Sequence, residues 1–162
     1  MAEIRESTAI GERRRAREYA LQLLFQLDLS PEGTVEAAAA FWEGKKVRAS
    51  IVEFADTLVK GAMRNQAWLD ATLSSISHHW RIPRMAVVDR NILRLALYEL
   101  VFETATPPIV VINEAIEIAK KFGNEESGPF VNGILDAIRV RIESGEIAVP
   151  PAVAPGAIKT PA

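Results

Sequence analysis

The stretch Met85-Ala-Val-Val-Asp89-Arg-Asn-Ile-Leu-Arg94-Leu-Ala-Leu-Tyr-Glu99-Leu-Val-Phe102 decides the fold. Wound as a helix, it is apolar on most sides, with polar relief at Asp89, Arg90, Asn91, Arg94 and Glu99. A helix that is apolar nearly all round must be covered from several directions, so this one reads as the buried centre of a helical bundle. Glu99 shares a face with Val88, Ile92 and Leu95 and is expected to be buried. A buried carboxylate needs charged or hydrogen-bonding partners, which makes its role structural.

Working outward, the apolar spacing stays helical. Ala16, Tyr19, Ala20, Leu23, Leu24 and Leu27 form one stripe, ended by Ser30-Pro31 and Gly33. Val35, Ala38, Ala39 and Trp42 mark a short alanine-rich helix stopped by Gly44. Ser50 and Glu53 have capping-box spacing ahead of Ile51, Phe54, Ala55, Leu58, Val59 and Ala62. Leu69, Thr72, Leu73 and Ile76 make a further stripe after Asn65. On the other side of the central helix, Pro107-Pro108 ends the unit. Val111, Ala115, Ile118, Ala119 and Phe122 then mark a helix with Lys120-Lys121 near its negative end and Gly123 at C′. Val131, Ile134, Leu135, Ile138 and Ile142 mark the last.

No convincing alternating strand appears. The expected fold is all-α, a helical bundle of about six to seven helices in two small subdomains joined by short connections. The pattern breaks over Ser77–Pro83, which divides the chain into a flexible start (1–9), an N-terminal helical subdomain (10–80), a C-terminal helical subdomain (81–144) and a disordered Ala/Pro-rich tail (145–162).

The chain has 162 residues, 49% of them hydrophobic, enough for a core of ordinary size. Nineteen Lys and Arg against 21 Asp and Glu give a net charge of −2, so any polyanion site must come from local clustering. There is no cysteine, which excludes disulfides, thiol nucleophiles and zinc fingers together. Met1–Thr8 lacks the layout of a signal peptide, and no run is long enough to span a bilayer. A cytoplasmic protein without a membrane segment is expected. His78 and His79 are adjacent, and metal pairs on a helix need wider spacing. No phosphate loop, dinucleotide fingerprint or nucleophile elbow occurs, so neither enzyme activity nor a cofactor is indicated.

The strongest local charge is Arg13-Arg14-Arg15-Ala16-Arg17. At about 100° per residue, Arg13, Arg14 and Arg17 project beside the core stripe while Arg15 turns away. Guanidinium groups on one ridge offer forked donors to phosphate oxygens. A solvated face offset by Glu12 and Glu18 is the plainer alternative. Leu21 and Phe25 form a second apolar strip on the side of Arg14 and Arg17, meeting either another internal helix or a partner protein. The connection Gly123-Asn-Glu-Glu-Ser-Gly-Pro-Phe130 places an aromatic ring at the start of the last helix. Phe130 stacks on an unpaired base or staples the helix start.

Four blocks together resemble the NusB transcription antitermination family: Glu12–Phe25, Val88–Leu100, Val111–Gly123 and Phe130–Asp136. They occur in family order over roughly residues 12–138. The resemblance implies an all-helical protein that binds boxA RNA and ribosomal protein NusE and joins the transcribing RNA polymerase complex. It suppresses termination during ribosomal RNA synthesis; some relatives form a homodimer. By motif position, Arg13, Arg14, Arg15 and Arg17 match the family's basic RNA-binding helix, and Glu126 and Phe130 complete the RNA surface. Phe25 and Asp89 match positions facing NusE, with Leu21 on the same spare strip. Gly128-Pro129 stands where relatives often carry basic or polar side chains. The competing function, from another class, is a helical protein-interaction module whose arginines are only solvated.

Overall fold

Seven helices are present among the described residues of the computed structural model, which are 2–29, 34–76 and 85–150. They are α1 (Ala2–Leu29), α2 (Thr34–Trp42), α3 (Ala49–Arg64), α4 (Gln66–Ile76), α5 (Val87–Phe102), α6 (Pro108–Phe122) and α7 (Ser127–Glu143). No strand occurs among these residues. The all-α bundle read from periodicity is the observed architecture.

The central position of α5 explains its composition. It packs against α1, α3, α4, α6 and α7, and every residue from Asn91 to Glu99 is buried. Leu93 and Leu97 are fully enclosed, each such burial stabilising the fold by roughly 1.5–3 kcal/mol. The polar positions that interrupt α5 are its ties to neighbours. Arg94 donates two bonds to Asp70 of α4, at 2.7 and 2.8 Å, and Arg90 approaches Asp28 of α1 at 3.8 Å. One hydrophobic cluster runs through all seven helices. The boundary expected at residues 77–83 lies outside the described residues, as do His78 and His79.

Several ends differ from expectation. Helix α1 runs from Ala2, through the segment read as a flexible start. Helix α3 begins at Ala49 with Arg48 as N-cap and no side-chain cap bond, so the Ser50–Glu53 capping box is not used. Helix α7 begins at Ser127 rather than at Phe130. The Ser127 hydroxyl accepts from the Asn124 N–H at 3.0 Å, and the Asn124 side-chain oxygen accepts from the Glu126 N–H at 2.9 Å. Pro129 fits inside the first turn because the early amides of a helix have no intrahelical acceptor. Gly123 adopts an extended conformation instead of the left-handed one; a Cβ there would collide with the Ser127 hydroxyl. Close approach, not handedness, requires that glycine.

Candidate nucleic-acid interface

The basic run sits near the middle of α1, and its four arginines go to four destinations. Arg17 is buried and donates to both carboxylate oxygens of Glu99 on α5, at 2.8 and 2.7 Å. Arg14 donates to both oxygens of Glu114 on α6, at 2.8 and 2.9 Å, while 43% of its side chain stays exposed. Arg13 lies over the Phe54 ring of α3, with Cζ 3.8 Å from the centroid. Arg15 stays on its own helix, donating to the Tyr19 hydroxyl at 3.2 Å. Bidentate, charge-assisted pairs of this kind are among the stronger polar contacts a protein makes.

The ridge of three arginines therefore needs correcting. The arc holding residues 13, 14 and 17 faces three packed helices, and a buried carboxylate waits on two of them. Arg17 cannot serve as a phosphate contact, because moving it would leave Glu99, 2% exposed, charged and unpaired in the core. A cavity of about 20 Å³ beside this pair has room for about one water. Glu114 was missed from the sequence, although it shares the α6 face of Val111 and Ile118 that a buried stripe defines. Its hydrogen bonds hold the Arg14 guanidinium above the usual arginine range, against the opposing effect of burial. With Glu114 ionised, the guanidinium's share of this stability is full below the unfolded arginine's pKa and is lost as pH rises through the raised value.

What remains outward is Arg13 and Arg15, both exposed and, among the described residues, without a carboxylate partner. Arg14 adds its open flank. Lys121 of α6 donates to Glu18 of α1 at 3.0 Å, which brings the end of α6 up to the same helix. Just beyond it, Glu126 is exposed as N-cap of α7, and Phe130 is half-buried against the core in the first turn. A Cβ added at Gly128 would meet Lys120 and Ile116 at 3.6 and 3.8 Å, ordinary van der Waals contact, so the α6–α7 packing does not itself require a glycine there.

The protein-facing positions divide as well. Phe25 is 40% exposed, in keeping with a spare apolar strip. Leu21 is 5% exposed and belongs to the core, lining the small cavity with Ile118 and Leu95, so the internal-helix alternative holds for it. Asp89, in the first turn of α5 where a negative charge suits the helix dipole, is 8% exposed. It presents little surface to a partner in this conformation. Among the described residues no group of acidic or histidine side chains is arranged to hold a metal, and no helix is long and apolar enough to cross a membrane.

The model of the NusB family matches residues 14–139. The transcription antitermination protein NusB of Anaeromyxobacter dehalogenans is 47% identical over 127 residues, covering 78% of this chain and 89% of that protein. The solved NusB of T. maritima superposes with a TM-score of 0.74 at 39% identity, over 83% of this chain and 97% of the other. A crystal structure of antitermination factors NusB and NusE in complex with dsRNA is similar at a TM-score of 0.70 and 34% identity, over 78% and 95% of the respective chains.

Proposed function

The chain belongs to the NusB family, and on that premise we propose that it is a transcription antitermination factor acting in ribosomal RNA synthesis. It binds the boxA element of single-stranded RNA together with ribosomal protein NusE. The observation that carries this reading is the outer edge of α1, where Arg13 and Arg15 stand exposed and, among the described residues, have no carboxylate to neutralise them. Such an edge offers forked donors to a phosphate backbone. The RNA runs from there across the open flank of Arg14 and past Lys121 to Glu126 and Phe130. Unpaired base edges are read at the start of α7, where the Phe130 ring supplies a stacking surface.

Arg17 has no part in this contact; it holds α1 against α5. Phe25 is the anchor offered to NusE. The chain supplies binding surfaces and no chemical step, and it enters the transcribing polymerase complex through its two ligands.

Mixing the protein with a boxA oligomer and with NusE, separately and together, tests the proposal. RNA should bind more tightly when NusE is present, because the ligands meet neighbouring ridges of one helix and their coupling is reciprocal. A complex with NusE that never takes up RNA would leave a helical protein-interaction module in its place. That second reading draws on the internal pairing of Arg14 and Arg17, which shortens the cationic edge.

A further inference from the structure

A cleft of about 240 Å³ opens between α1 and α3, lined by Glu12, Arg13, Ala16, Ser50, Ile51 and Phe54. Of this lining, the RNA path described above uses Arg13 alone. Its apolar wall is the half-buried Phe54 ring, over which Arg13 lies. Arg17 approaches the same ring at 5.6 Å but is committed to Glu99. Among the described residues Arg13 is thus held by the ring alone and stays exposed. At the rim, Glu12 accepts from Arg48 with one carboxylate oxygen, and among the described residues no hydrogen bond engages the other. Arg48, 74% exposed, offsets the charge of Glu12.

Each component suits a different part of a nucleotide. A planar guanidinium backed by an aromatic ring is a stacking platform for an unpaired base. The N–H edge of Arg13 meets phosphate oxygens. The open carboxylate oxygen of Glu12 accepts from an exocyclic amine, which adenine, cytosine and guanine carry and uracil lacks. The phenyl ring already orients the guanidinium, so less freedom is lost on binding.

The geometry points to a nucleotide subsite in this cleft: one base of the bound RNA, bearing an exocyclic amine, stacks on Arg13 backed by Phe54 and donates to Glu12. The subsite rests on the RNA-binding reading above and carries the RNA over to the α3 side of α1.

The test uses the full chain with NusE and a labelled boxA oligomer in which each nucleotide in turn is made abasic. Removing the base that occupies the cleft should weaken binding to the wild-type chain about five- to tenfold, in the range of a base–aromatic stack. Arg13→Lys keeps the charge and loses the plane; Phe54→Leu keeps apolar bulk and loses the ring. In both variants that one position should no longer matter, while the others keep their wild-type sensitivity. Glu12→Gln should erase the preference for an amine-bearing base over uracil there.

Arg15→Ala, outside the cleft, gauges the parent reading by weakening RNA at every position. If it does so while the abasic profiles of Arg13→Lys and Phe54→Leu overlay the wild-type profile, the subsite is overturned and the RNA-binding reading stands. If no RNA binds even with NusE, both fall. Should Phe54→Leu fail to fold, the exposed Arg13→Lys decides.

Discussion

Two sides of α1, sharing the same turns and built from the same residue type, do opposite work. On the inner side Arg14 and Arg17 reach across to Glu114 and Glu99 and tie α1 to α6 and α5. On the outer side, among the described residues, Arg13 lies over the Phe54 ring, Arg15 donates to the Tyr19 hydroxyl, and both keep their charge at the surface. The difference lies in what stands opposite. A buried carboxylate turns an arginine into a clamp, because breaking the pair strands a charge in the core. An aromatic ring holds an arginine in place without neutralising it. A basic run is therefore only as cationic as the helices packed against it allow.

The sharpest way to break the comparison is Arg17→Ala. It leaves Glu99 buried without its partner and should lower unfolding free energy by about 3–5 kcal/mol, measured by urea denaturation. A loss under about 1 kcal/mol would mean that water or rearrangement satisfies Glu99 without Arg17. Next in size is Gly61→Ala, a lesion of the same core away from the basic run. A Cβ at position 61 would collide with the hydroxyl-bearing end of the Tyr98 ring, so overpacking of about 1–3 kcal/mol is expected in thermal unfolding. Its effect on RNA affinity should be no more than its loss of folded protein explains, which separates instability from lost contact. Arg14→Ala should cost about 1 kcal/mol, since Glu114 retains Arg17 at 3.9 Å and Arg14 is partly solvated. It should weaken RNA as well, because this residue stands at the border of the two regions. The smallest stability change, within about 0.5 kcal/mol, is expected for Arg13→Ala with Arg15→Ala in one chain.

Much of the bundle was legible because its core follows the helical period so closely. The α5 segment announced its central place by being apolar all round, and Glu99 announced its need for a partner. Which partner was not legible: Arg17 lies far away in sequence, and helix geometry alone put it on the same arc as Arg13 and Arg14. That arc was read as a surface because one helix wheel does not show which neighbours cover it. Glu114 carried a usable signal in its place between Val111 and Ile118, and pairing it with Glu99 would have predicted two inward arginines. The start of α7 was misplaced because Gly128-Pro129 looks like a turn, while a proline within the first helical turn costs no hydrogen bond. The Arg13–Phe54 contact had no sequence signal, since it depends on how α3 lies against α1.

The most direct measurement is the salt dependence of boxA RNA affinity, with NusE present, for the wild-type chain and the Arg13→Ala/Arg15→Ala chain. Two lost phosphate contacts on single-stranded RNA should make the slope of log K against log salt shallower by about 1.4, with affinity near 0.1 M salt down roughly ten- to thirtyfold. Equal slopes and equal affinities for the two chains would contradict the claim that the outward arginines hold the RNA.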